Sequence, residues 1–113
     1  MVYLKLAFFY EDFATKDWID AAEHSQHCYE YYLDKVDPQD TGVLTRLGNL
    51  LVREHKYEKA IDIYTCILTF DKTLENVWFN KAQAQIKVGD IVEATESLKC
   101  TLEATLKTLP PEV

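Results

Sequence analysis

The sequence predicts an all-α protein made of antiparallel helix-turn-helix hairpins, and three observations carry that prediction. The first is self-similarity at a spacing of 34 residues: Leu44, Leu47, Gly48, Leu51 and Ala60 shift onto Trp78, Lys81, Ala82, Gln85 and Ala94. Cys66 shifts onto Cys100 and Leu68 onto Leu102 in the same frame. A fixed period of this length, with small residues returning to two slots, marks a repeated pair of helices. The small slots have a steric reason, since helices that cross closely leave no room for a long side chain. The second observation is the scarcity of Gly and Pro, three each in 113 residues, which suits long helices joined by short turns. The third is that no stretch alternates polar and apolar residues long enough to require a strand.

Six helices follow in order, at about 2–14, 17–36, 41–54, 57–70, 74–88 and 91–107. The first is apolar around much of its girth, from Val2 and Tyr3 through Phe8, Phe9 and Phe13. Trp18, Ala22, Ser25, Tyr29, Tyr32 and Val36 form one stripe along the second, spaced by fours and threes. Pro38 stops that helix, and Pro110 with Pro111 ends all helix. Asp40 or Thr41 caps the third helix and Thr73 the fifth. Gly89 suits the residue after the fifth helix, and Asp90 with Glu93 forms a capping box opening the sixth.

The middle unit reads Leu44-x-x-Leu47-Gly48-x-x-Leu51, then Ala60-x-x-x-Tyr64. This resembles the tetratricopeptide repeat, whose pattern runs W-x2-L-G-x2-Y, then A-x3-F. The third unit keeps Trp78, Ala82 and Ala94, but Lys81 and Gln85 depart from the pattern, so its first helix is expected to lie less deeply buried. The first unit opens well, with Tyr3, Leu6, Ala7 and Tyr10, yet its second-helix alanines, Ala21 and Ala22, come late. The distance from Tyr3 to Leu44 is 41 rather than 34, an excess a longer second helix would absorb. The resemblance implies a single domain over residues 1–113, stacked as a short right-handed α-solenoid. Its repeats cover about 2–38, 41–74 and 75–107, with a Pro-containing tail at 108–113.

In that family the first helix of each pair lines a concave groove, and the resemblance carries the role onto matching positions here. They are Leu4, Lys5, Phe8 and Asp12 in the first unit; Thr45, Arg46, Asn49 and Arg53 in the second; Phe79, Asn80, Gln83 and Lys87 in the third. Most carboxylates fall on second helices and turns, so the groove is expected to be mildly basic within a chain of net charge −7. The function this implies is a scaffold or adaptor that binds a protein or peptide through the groove or through its apolar terminal helices. An alternative is a co-chaperone reading acidic C-terminal peptides. Asn49 and Asn80 match two positions of that carboxylate clamp, but Thr45 stands where its first Lys belongs, and the closing Lys and Arg have no counterpart. A metal-dependent regulatory domain built on His24, His27 and Cys28 is a further alternative, although these offer at most three ligands where structural zinc needs four.

No glycine-rich phosphate loop, nucleophile motif or paired-carboxylate site is readable, so neither catalysis nor a cofactor or metal is expected. The acidic balance argues against nucleic acid and anionic membranes. No run reaches the ~18 apolar residues of a spanning helix. Lys5 and the pair Glu11 and Asp12 interrupt the apolar start, so a secretory leader is not expected. Three unpaired cysteines suggest a reducing compartment, cytoplasm or nucleus. The bare apolar first helix suggests self-association, or residence as a stable subunit of a larger complex.

Overall fold

A computed structural model of the chain describes residues 2–14 and 20–108. Six helices account for its regular structure: α1 (Val2–Ala14), α2 (Ala21–Lys35), α3 (Thr41–Arg53), α4 (Tyr57–Phe70), α5 (Glu75–Lys87) and α6 (Ile91–Thr108). No strand occurs among the described residues, and the fold is all-α. Trp18 and the tail beyond residue 108 lie outside the described residues. The second helix, expected from residue 17, starts at Ala21 with Asp20 as its N-cap, so at 15 residues it does not absorb the excess spacing of the first repeat. The helices group into two compact units, Met1–Lys56 and Tyr57–Val113.

In the first unit, α1 packs on α2 and α2 on α3. The small residues Ala7, Ala21 and Ala22 are buried, and the Ser25 hydroxyl of α2, also buried, donates to the Ala7 carbonyl of α1 at 2.8 Å. Of the stripe read along the second helix, Ala22, Ser25, Tyr29 and Tyr32 are buried. Val36 is not: it is the C-cap, beyond the last helical turn, and it faces solvent. Tyr31, one position round from that stripe, lies on the surface with its ring 4.5 Å from that of Tyr3.

In the second unit, α4 packs on α5 and α5 on α6. Ala60, Ala82 and Ala94, the small slots of the repeat, are all buried. α5 buries four residues where α3 buries six, so it lies less deeply, as expected, but Gln85 is not the cause. Gln85 is buried, and its Oε1 accepts a 2.7 Å hydrogen bond from the equally buried Ser97 hydroxyl of α6. An amide can occupy a core position when a partner satisfies it, because the desolvation cost falls on unpaired groups. No buried side-chain nitrogen or oxygen lacks a partner among the described residues.

The period of 34 extends to the main chain. α3 and α5 are each 13 residues long and start 34 apart, as α4 and α6 do. Both α3 and α5 end in a Schellman motif, a reversal in which two backbone amides beyond the helix reach back to carbonyls of its last turn. After α3, His55 N–H donates to Val52 O at 3.0 Å and Lys56 N–H to Leu51 O at 2.8 Å. After α5, Gly89 N–H donates to Ile86 O at 3.0 Å and Asp90 N–H to Gln85 O at 2.9 Å. The motif needs a left-handed residue, and it takes Gly89 at φ 85° in one case and His55 at φ 60° in the other.

The helix starts are less uniform. Asp40 caps α3 by accepting from Val43 N–H at 3.2 Å. Thr73 does not cap α5. Its amide and hydroxyl both donate to Asp71 Oδ1, holding that carboxyl below its ordinary range, and the N-cap position falls to Leu74. The capping box opening α6 is half formed. Asp90 Oδ1 accepts from Glu93 N–H at 3.3 Å, while the Asp90 amide, which the Glu93 side chain would otherwise claim, is committed to Gln85 O.

Candidate functional site

Three of the expected groove positions, Phe8 of the first repeat and Arg46 and Arg53 of the second, come together within Met1–Lys56 around a residue the sequence did not single out. Glu11, one turn beyond Phe8 on α1, is mostly shielded by its neighbours. Its Oε2 lies 3.2 Å from Arg46 Nη1 and its Oε1 3.5 Å from Arg53 Nη2. The same Oε1 accepts from the Tyr29 hydroxyl of α2 at 3.0 Å. The Arg46 guanidinium sits 4.4 Å from the centre of the Phe8 ring, which in turn lies 6.2 Å from the Tyr29 ring. One carboxylate thus joins all three helices of the unit. Burial, helped by the Glu11 charge, pushes the Tyr29 hydroxyl up to about 12.

The spacing explains why α3 supplies both arginines. Arg46 and Arg53 are seven apart, two turns, so they share a face and reach one point on α1. The surface is consequently less basic than a count of cations suggests, because Glu11 offsets one of the two charges. Of the remaining expected positions, Leu4 is half-buried, while Lys5 and Asp12 are exposed. Thr45 is half-buried and returns its hydroxyl to the Thr41 carbonyl at 2.7 Å, and Asn49 is exposed. A second polar link closes the unit, with Lys56 Nζ donating to Oε1 of the buried Gln26 at 2.8 Å.

The second unit holds the other four positions. Phe79, Gln83 and Lys87 follow one another at intervals of four along α5, all exposed, and Asn80 beside them is half-buried. They form a narrow strip with an aromatic ring at one end and an ammonium at the other. Elsewhere in this unit a cleft of about 180 Å³ is lined by Lys72, Thr73, Trp78, Cys100, Glu103 and Ala104. It is smaller than the ~300–1,000 Å³ of typical small-molecule sites. The Trp78 indole N–H donates to the Lys72 carbonyl at 2.9 Å and fixes the wall. Burial, together with Glu103 and Glu96, pushes the Cys100 thiol up, the wrong direction for a nucleophilic thiolate.

His24 and His27 are exposed and Cys28 is half-buried, with the His24 ring 5.0 Å from that of Tyr10. Among the described residues no three His, Cys, Asp or Glu side chains are grouped as a metal site would require. No described helix is long and apolar enough to cross a membrane. Comparison of the chain with protein-family models and with curated proteins finds no match.

Proposed function

We propose that this chain is a protein-binding scaffold of the tetratricopeptide-repeat kind, engaging a partner through the exposed faces of its first helices. The observation that carries the reading is the main-chain recurrence at 34 residues, with α3 and α5 of equal length and closed by the same pair of backbone bonds. Repeats of this sort build extended surfaces rather than enclosed pockets. Phe79, Gln83 and Lys87 then supply an apolar anchor, an amide and a cation to an extended or helical peptide. The Phe8–Arg46 stack offers a second aromatic and cationic patch. On this reading the chain works as an adaptor without cofactor or metal, within a reducing compartment.

The test is affinity purification of the tagged chain, wild type beside Phe79→Asp and Lys87→Glu. A protein that co-purifies with the wild type should be lost from both variants, and one retained equally by all three would rule out the α5 strip. Recognition of acidic C-terminal peptides, the competing proposal, has an obstacle: Arg46 and Arg53 already hold Glu11. That reading requires Glu11→Gln to strengthen binding of a carboxylate-terminated peptide several-fold, so an unchanged titration would eliminate it.

A further inference from the structure

Two phenol rings from different helices of the first unit lie against each other. Tyr3 of α1 and Tyr31 of α2 have ring centres 4.5 Å apart and planes inclined at 44°. The two helices pack together and are pinned by the buried bond from Ser25 to the Ala7 carbonyl, so the meeting of the rings belongs to the fold of the unit. A hydrogen bond between the two hydroxyls pushes the Tyr3 phenol up from its ordinary value. Tyr31 is 46% exposed and Tyr3 is half-buried. Tyr29 and Tyr32, on the same helix as Tyr31, are placed differently. Both are buried, and each gives its hydroxyl to a carboxylate, Glu11 and Asp40 in turn.

Packing alone brings aromatic rings to such a separation. Two phenols have a further chemistry, because loss of the hydroxyl hydrogen spreads the unpaired electron onto the ring carbons beside it. Two such rings couple through those carbons. The coupled pair holds its ring centres at close to the separation seen here, with the planes tilted and the two hydroxyls near enough to share a hydrogen bond. Holding both rings in one fold also raises their effective concentration far above what two separate chains reach.

We propose that Tyr3 and Tyr31 form an oxidative coupling site, at which hydrogen peroxide acting through a haem peroxidase joins α1 to α2 by a carbon–carbon bond. Each phenol gives up one electron and its hydroxyl proton, and the peroxide takes the two electrons and two protons to become two waters. The ring carbons then bond, and the hydrogen on each moves to the neighbouring oxygen, restoring two phenols. Such a link is not a disulfide, so the thiols of a reducing compartment do not reverse it by exchange. The inference goes beyond the peptide-binding reading and does not depend on it, because neither ring is among the peptide contacts.

Treatment of the 113-residue chain with hydrogen peroxide and a haem peroxidase tests this, followed by dityrosine fluorescence and by mass. Cys28, one turn before Tyr31 on α2, can return an electron to a phenoxyl radical, so the same treatment is given to Cys28→Ser. The product should be a single chain lighter by two hydrogens, and a digest should join the peptide carrying Tyr3 to the one carrying Tyr31. Dilution of the protein should leave the coupled fraction unchanged. Tyr3→Phe and Tyr31→Phe, which keep the rings, should each lose this product with unchanged circular dichroism, while Tyr10→Phe should retain it. Absence of coupling from both the wild type and Cys28→Ser overturns the proposal. So does a link through other tyrosines, or one that forms only between separate chains.

Discussion

The two units solve the same packing problem by different means. In Met1–Lys56, the helices are tied by polar bonds between residues far apart in sequence: Ser25 to the Ala7 carbonyl, Tyr29 and both arginines to Glu11, Lys56 to Gln26. In Tyr57–Val113, small residues nest at Ala60, Ala82 and Ala94, and one buried bond, Gln85 with Ser97, joins α5 to α6. The first unit is also the one whose spacing departs from 34. Where the small slots keep their period, apolar nesting needs fewer long-range bonds beside it, Ser97 to Gln85 and Thr105 to Glu75. Where they slip, directional bonds take over, because a hydrogen bond specifies a position along the helix that a smooth apolar face does not.

Breaking the hub of the first unit should have the largest effect. Tyr29→Ala removes a buried ring and strips Glu11 of its hydroxyl donor, and should destabilise by ~3–5 kcal/mol. A urea titration reads this as a lower midpoint. Tyr29→Phe keeps the ring and should cost only ~0.5–1.5 kcal/mol, separating packing from the bond. A loss as small for alanine as for phenylalanine would mean that the hub is not organised by that ring.

The second unit permits a finer test. Ser97→Ala leaves the buried Gln85 carbonyl without its donor and should cost ~1–3 kcal/mol. Adding Gln85→Leu, the residue standing 34 earlier at Leu51, should recover most of that loss, because removing both partners leaves nothing unsatisfied. Additive losses in the double variant would show that the pair shapes the core beyond its own bond.

A smaller difference separates the two corners. His55 occupies a left-handed conformation that costs a side-chain-bearing residue energy, and Gly89 meets the same demand freely. His55→Gly should stabilise by ~0.5–1 kcal/mol and Gly89→Ala should destabilise by about 1 kcal/mol. Thermal midpoints moving in opposite directions would verify this.

The last effect is seen only in strong base. The hydroxyls of Tyr29 and Tyr64, one in each unit, are both pushed up to about 12, chiefly by burial. Their folded values lie above the unfolded one of ~10, so their contribution is complete below pH ~10 and fades as pH rises toward 12. Tyrosinate absorbance followed alongside circular dichroism should show these two ionising last, together with loss of helix.

Much of this architecture was legible in the residues themselves. Ala60, Ala82 and Ala94, the recurring small slots, are buried, and the helices fall within a few residues of where spacing and caps put them wherever both ends are described. Gly89 announced its turn because glycine is the ordinary occupant of a left-handed site. His55 gave no such signal, and only the period pointed to the position. Glu11 was missed because its partners lie on two other helices, and a pairing across 35 or 42 residues leaves no mark on local spacing. Gln85 was misread for a related reason: an amide at a core slot looks like exposure until its partner, Ser97, is found on the opposite helix. Most positions expected to line a groove are exposed, although Leu4, Thr45 and Asn80 are half-buried, and the internal carboxylate that offsets the two arginines was not legible.

The matched corners also have a practical consequence. Glu54 and Val88 are the C-caps of α3 and α5, both exposed and 34 apart, and each sits inside the same cage of backbone bonds. Spectroscopic labels attached through cysteines at these two sites would experience near-identical local frames. Differences between their signals would then report the wider environment of each half of the molecule, making the pair an internally calibrated gauge.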